Sequence, residues 1–214
     1  MENLALTTDS LYRKAAAFAI FLCIYNILEG GVSIFLGISD ESLTLFGFGI
    51  DSLVEVTSNI GVIYMIRRIR QNPTGDRTAF ERTALKITGY GFYVLTLVLS
   101  VGIIFSFLEV HKPETTLWGI VISISSIIVM YFVLTSQIKI GKALNSQPII
   151  SDAKCTMVCV YMSVVLLLSS LVYELTGFAY SDAIGAIGLI YFSVKEGKEA
   201  LDKAKGKECA DECC

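Results

Sequence analysis

The sequence predicts an all-α polytopic membrane protein of six transmembrane helices. Three observations predict the helices. Of 214 residues, 54% are hydrophobic and only 17% charged, against about 25% charged in an average soluble domain. The apolar residues gather in six long runs, and sixteen of the 17 Lys and Arg fall on one side of those runs when they are threaded through a bilayer. This composition excludes a disordered chain and a nucleic-acid binder, and it argues against a water-soluble enzyme. A net charge of −3 points to no partner by itself.

A helix needs roughly 20 predominantly apolar residues to cross a bilayer. The first run, Ala15–Ile38, has 24 residues and one acid, Glu29. Its length exceeds a signal-peptide core, and no small-residue cleavage site follows it. The second, Ser42–Ile66, has 25 residues with two acids, Asp51 and Glu55. The third and fourth, Ile87–Leu108 and Leu117–Ile138, each run 22 residues without a charge. The fifth, Cys155–Tyr173, has 19. The sixth, Gly177–Val194, has 18 with Asp182 near its start. Turns are expected near Asp40-Glu41, Gln71–Thr83, Glu109–Thr115, Asn145–Ser151 and Gly177–Tyr180. Nothing between the runs is long enough for a soluble domain. The expected organisation is a cytoplasmic segment 1–11, a six-helix transport domain 12–203 and a cytoplasmic Cys-rich tail 204–214.

Charge orients the helices. With six spans both termini share one side. Arg13 and Lys14, the basic residues from Arg67 to Lys86, then Lys139, Lys142 and Lys154, and those from Lys195 to Lys207 all fall on that side; Lys112 alone lies opposite. Cytoplasmic loops carry the excess of Lys and Arg, so both termini are expected inside, in a bacterial inner (plasma) membrane.

An acid at the centre of a membrane helix costs roughly 2.5–3.5 kcal/mol, which makes such acids functional candidates. Asp51 and Glu55 are four apart and share a helix face, extended by Gly47, Ser58 and Asn59. Two neighbouring acids repel when both are ionised; a bound cation answers both costs, and neighbouring hydroxyls and amides are the blander answer. In the fifth run Cys155 and Cys159 are also four apart, with Asp152 three residues earlier. Two thiolates at that spacing can grip a soft or borderline metal, although a buried Cys is equally at home as a small apolar residue. The second and fifth spans run antiparallel. Glu55 and Cys155 then form the inner members, and Asp51 and Cys159 the outer members, of a four-ligand site suited to tetrahedral zinc. Asn26, Glu29 and Ser33 lie on one face of the first span. Glu29 suits a supporting group, a proton carrier or a partner for another helix, and Asn26 and Asp152 suit support or a proton path. Gly185 and Gly188 suit close helix packing. The last seven residues hold Cys209, Cys213, Cys214 and three acids, the composition of a metal-binding tag that a reducing compartment keeps as thiols.

Glu41-Ser-Leu-Thr-Leu-Phe-Gly-Phe-Gly-Ile-Asp51-Ser-Leu-Val-Glu55 resembles the second helix of the cation diffusion facilitators, which carries two metal-binding acids four apart. Ser151-Asp152-Ala153-Lys154-Cys155, continued to Cys159, resembles that family's fifth helix with its His and Asp ligands both replaced by Cys. Ser181-Asp182-Ala183, with Gly185 and Gly188, resembles the start of its sixth. The resemblance spans about residues 12–203. It departs in having no cytoplasmic domain after the sixth helix and no His in the loop between the fourth and fifth.

The resemblance implies a transporter rather than an enzyme, with no prosthetic group, exporting a divalent metal from the cytoplasm by alternating access against protons; a homodimer is compatible with it. Two thiolates disfavour magnesium, calcium and manganese, and two carboxylates disfavour a pure Cu(I) site, so zinc is the expected cargo, with cadmium as its mimic. Four ionised ligands would leave two uncompensated charges around a divalent ion, a costly state in a dry site. One ligand is therefore expected to keep its proton, and a Cys is the natural holder, since a free thiol titrates near about 8.5. Two alternatives remain on the residues alone: a membrane metal sensor or scaffold without transport, and a thiol oxidoreductase using Cys155 and Cys159.

Overall fold

The computed structural model describes residues 2–71, 79–108, 117–144, 147–178 and 180–206. They form six α-helices: α1 (Glu2–Ser39), α2 (Leu43–Gln71), α3 (Ala79–Leu108), α4 (Leu117–Ala143), α5 (Gln147–Thr176) and α6 (Ser181–Ala204). Three begin earlier than the sequence suggests. α1 is helical from Glu2, before the apolar run that opens at Ala15. α5 starts at Gln147 rather than after Ser151 because Pro148 falls in its first turn, where the missing N–H has no intrahelical role. α3 starts at Ala79, within the expected loop.

The turn between α1 and α2 is closed by the backbone. Ser42 N–H donates to Gly37 O at 2.9 Å and Glu41 N–H to Ile38 O at 3.5 Å, with Glu41 left-handed at φ 54°. This is the double bond pattern that satisfies orphan carbonyls at a helix end. Gly177, at φ 63°, closes α5 on Tyr173 O at 2.7 Å.

Side-by-side packing makes three strong antiparallel pairs, α1 with α2, α3 with α6 and α4 with α5. α2 also touches α3, α5 and α6, so four helices pack against it while Leu53, Ile60 and Tyr64 stay exposed. By length and composition, the stretches Ser10–Ser39, Leu85–Phe105, Leu117–Ala143 and Cys159–Thr176 qualify as spans on their own. α2 and α6 do not, because both carry acids and basic ends. Their polar faces meet neighbouring helices instead of lipid, where a membrane bundle tolerates them. The lipid side is apolar: Phe35, Leu97, Phe132 and Tyr191 are each at least 60% exposed.

Small residues bring α1 and α2 together. A Cβ on Gly37 would lie 2.5 Å from Phe46 N, and one on Gly49 would lie 2.7 Å from Ile34 N. Neither backbone approach is open to a larger residue. The main apolar core, built around Phe48, Leu99, Met162, Leu166 and Leu189, fills the bundle toward the Asp40 end. A smaller cluster of Ala15, Ile66 and Ile140 closes the Arg67 end. The buried polar residues Asn26, Asp51, Glu55 and Asn59 lie between them.

Candidate functional site

The start of α2 is held by another helix. Its first N–H groups have no intrahelical acceptor, and the carboxylate of Asp182, at the start of α6, supplies one. Leu43 N–H donates to Asp182 Oδ2 at 2.7 Å, Ser42 Oγ to Oδ1 at 2.8 Å and Thr44 N–H to Oδ1 at 3.3 Å. Thr44 Oγ1 donates back to Asp182 O at 2.6 Å. The two helices run parallel, and this clamp sets their register. A Cβ on Gly185 would meet Thr44 Oγ1 at 2.7 Å, and one on Gly47 would meet Leu189 at 3.3 Å.

Two turns below the clamp stands Asp51. It is 2% exposed, and its Oδ1 has no hydrogen-bond partner. Glu55 follows on the same face, 9% exposed, and Asn59 after it, 2% exposed with Nδ2 unpartnered. From α5, the Cys159 thiol forms a hydrogen bond with Glu55 and lies within electrostatic reach of Asp51. Cys159 thus stands closer to Glu55 than a strict inner and outer pairing of the two motifs suggests. Ser163 ties this part of α5 to α4, its one hydroxyl hydrogen shared between Cys159 O at 2.8 Å and Ser126 Oγ at 3.1 Å.

Glu29 of α1 is a partner to other helices. Its Oε1 accepts from Tyr25 at 2.9 Å, its Oε2 from Ser52 of α2 at 3.3 Å, and Ser126 of α4 also bonds it. Asn26 differs. It is fully buried, and neither its amide nitrogen nor its oxygen has a partner. Since Glu29 meets Ser52 in this antiparallel pair, one turn further brings Asn26 level with Glu55.

The structure therefore gathers Asn26, Asp51, Glu55 and Cys159 within about one helical turn of depth, with Glu29 beside them. The side chains of Asp152 and Cys155, and the tail residues Cys209, Cys213 and Cys214, lie outside the described set. Among the described residues, no three His, Cys, Asp or Glu side chains close on one point tightly enough to hold a metal ion. What is present is an acid pair, a thiol and an unpartnered amide. Oxygen and sulfur donors of this kind suit a borderline divalent ion better than a hard one.

Two residues escaped the reading of the sequence. Ser193, fully buried with Oγ unpartnered, and Glu196, 8% exposed with Oε1 unpartnered, lie on the inward face of α6. Glu196 is within electrostatic reach of both Asp51 and Cys159. In the sequence it blends into the run of lysines that ends the helix. The available signal was the spacing of three and four residues that joins it to Asp182, Gly185, Leu189 and Ser193.

Residues 17–204 match the family described as the cation efflux transmembrane domain. An uncharacterized transporter of Methanocaldococcus jannaschii is 30% identical over 174 residues, covering 76% of this chain. The chain spans 58% of that relative's length. Together with the six-helix bundle and its buried acid pair, the match identifies the chain as a member of the cation efflux transmembrane domain family.

Proposed function

We propose that the chain carries a divalent heavy-metal cation, zinc foremost and cadmium in its place, out of the cytoplasm by alternating access. The observation that carries this reading is Asp51: a carboxylate 2% exposed, with an oxygen that no protein group satisfies, beside Glu55 and the Cys159 thiol. A buried acid left in that state is costly unless something else meets it. A cation is the group that meets an acid pair, and thiols beside carboxylates tilt the choice toward zinc. Cys155 would complete the ligand set from the same helix as Cys159.

The one-sided distribution of Lys and Arg supports placing the Arg67 end in the cytoplasm. The apolar core around Phe48 and Leu189 lies on the Asp40 side of the acids, which favours reading this conformation as closed outward. Ligands must lose protons to hold metal, so export is coupled to protons through the same site.

Flux through the purified protein in liposomes tests the reading. Zinc and cadmium should move and magnesium should not. At subsaturating zinc the rate should rise between about pH 6 and 8.5, as proton competition falls. Metal binding without flux would make the protein a sensor or scaffold. Redox cycling of Cys155 and Cys159 without metal dependence would make it an oxidoreductase.

A further inference from the structure

We propose that Glu196 of α6 is a cation-handling residue, a third carboxylate standing on the Arg67 side of Asp51 and receiving the cation on its way to or from the Asp51–Glu55 pair. The inference rests on reading that pair as the cation site and adds α6 to the helices that build it.

Geometry places Glu196 by two independent routes. Along the parallel pair α2 and α6, Gly185 lies against Thr44 and Leu189 against Gly47. Advancing both helices one turn sets Ser193 level with Asp51, and nearly a turn more sets Glu196 level with Glu55. The second route runs through α3. A Cβ on Gly91 would touch Val54 at 3.1 Å, and Thr57 and Thr88 share a hydrogen bond of 2.9 Å, which fixes α2 against α3. A Cβ on Gly197 would meet Gly89 O and Phe92 at 3.2 Å, which fixes α6 against the same stretch of α3. Both routes set Glu196 beside the Val54–Glu55 turn.

Its surroundings are those of a working acid rather than a structural one. Glu196 is 8% exposed, and its Oε1 has no hydrogen-bond partner. Lys203 closes on Glu199 at 3.1 Å, and both Lys203 and Lys195 also lie within electrostatic reach of Glu196. Ser193, fully buried one turn away on the same face, offers a second unpartnered oxygen. A buried carboxylate oxygen and a hydroxyl without hydrogen-bond partners, within a turn of two more acids, present hard oxygen donors to an ion that has shed part of its water. Since no three acids or thiols among the described residues close on one point, Glu196 acts before or after the cation reaches Asp51, as a waiting position and not as a wall of one closed cage.

The test is zinc flux in liposomes holding the full chain, with zinc ion supplied alone. Glu196→Gln should raise the half-saturating zinc concentration by between about ten- and a hundredfold, the range seen when groups just outside a metal's ligands are removed. Its maximal rate should fall less. Glu196→Asp, which keeps the charge, should recover most of the affinity, and Glu199→Gln, which removes the same charge from the Lys203 pair, should change neither quantity. A Glu196→Gln protein that matches Glu199→Gln while Asp51→Asn abolishes flux would overturn the role of Glu196 and leave the site reading intact. Wild-type flux in Asp51→Asn would overturn the site reading itself and this inference with it. If Glu196→Gln does not fold, Ser193→Ala decides: a raised half-saturation at an unchanged melting temperature supports the proposal, and an unchanged half-saturation overturns it.

Discussion

Asp182 caps a helix to which it does not belong: its carboxylate accepts the Ser42 hydroxyl at 2.8 Å and the Leu43 N–H at 2.7 Å, so α6 holds the first turn of α2. The acid pair sits two turns further along α2, and its depth relative to α6 follows from this clamp. Asp182→Asn keeps the size and replaces one acceptor oxygen with a donor. It should destabilise the folded protein by about 1–3 kcal/mol, the cost of leaving buried N–H groups unmatched. Thermal unfolding of the detergent-solubilised protein measures this, and an unchanged midpoint would show that α2 keeps its register without the clamp.

Glu29 is satisfied by three hydroxyls from three helices, Tyr25, Ser52 and Ser126. Its first task is therefore to tie α1, α2 and α4 together. Ser52→Ala and Ser126→Ala should each lower stability by about 0.5–1.5 kcal/mol, and the double variant by more than the sum, since it leaves the carboxylate with one partner. Zinc flux in the single variants should fall far less than it does when Asp51 is changed. Abolished flux in Ser126→Ala with unchanged stability would move Glu29 from tying helices to carrying ions or protons.

Metal preference should follow the thiols. Replacing both, Cys155→His and Cys159→Asp, substitutes harder donors at the same spacing of four, and the transported set should shift from cadmium and zinc toward cobalt and manganese. Competition among these ions in one flux assay reads the shift. An unchanged order would show that neither Cys contacts the cargo.

Much of this was legible in the residues. The four most apolar helices announce themselves by length, and Asp51 and Glu55 by the cost of putting acids there. α2 and α6 are less apolar, and the placement of basic residues supports their apolar runs as spans. What remained hidden depends on which helices become neighbours. Asp182 meets Ser42 across 140 residues of sequence, and no local pattern encodes that. In the sequence Glu196 sits among Lys195, Lys198 and Lys203. Its burial arises because the end of α6 lies against Gly89 and Phe92 of α3, where a glycine at position 197 lets the backbones close. Glu29 suits a supporting group, a proton carrier or a partner for another helix, and its bond to Ser52 of α2 is again a contact between helices that no local pattern encodes.

The central claim is that Asp51 meets a cation. The most direct measurement is zinc flux through Asp51→Asn in liposomes, set beside its melting temperature. Because Oδ1 of Asp51 has no partner in the protein, the amide should cost the fold nothing and leave the midpoint equal to or above wild type, while flux falls to the level of empty liposomes. Wild-type flux through the Asn variant, or a loss of flux matched by a loss of fold, would contradict the claim.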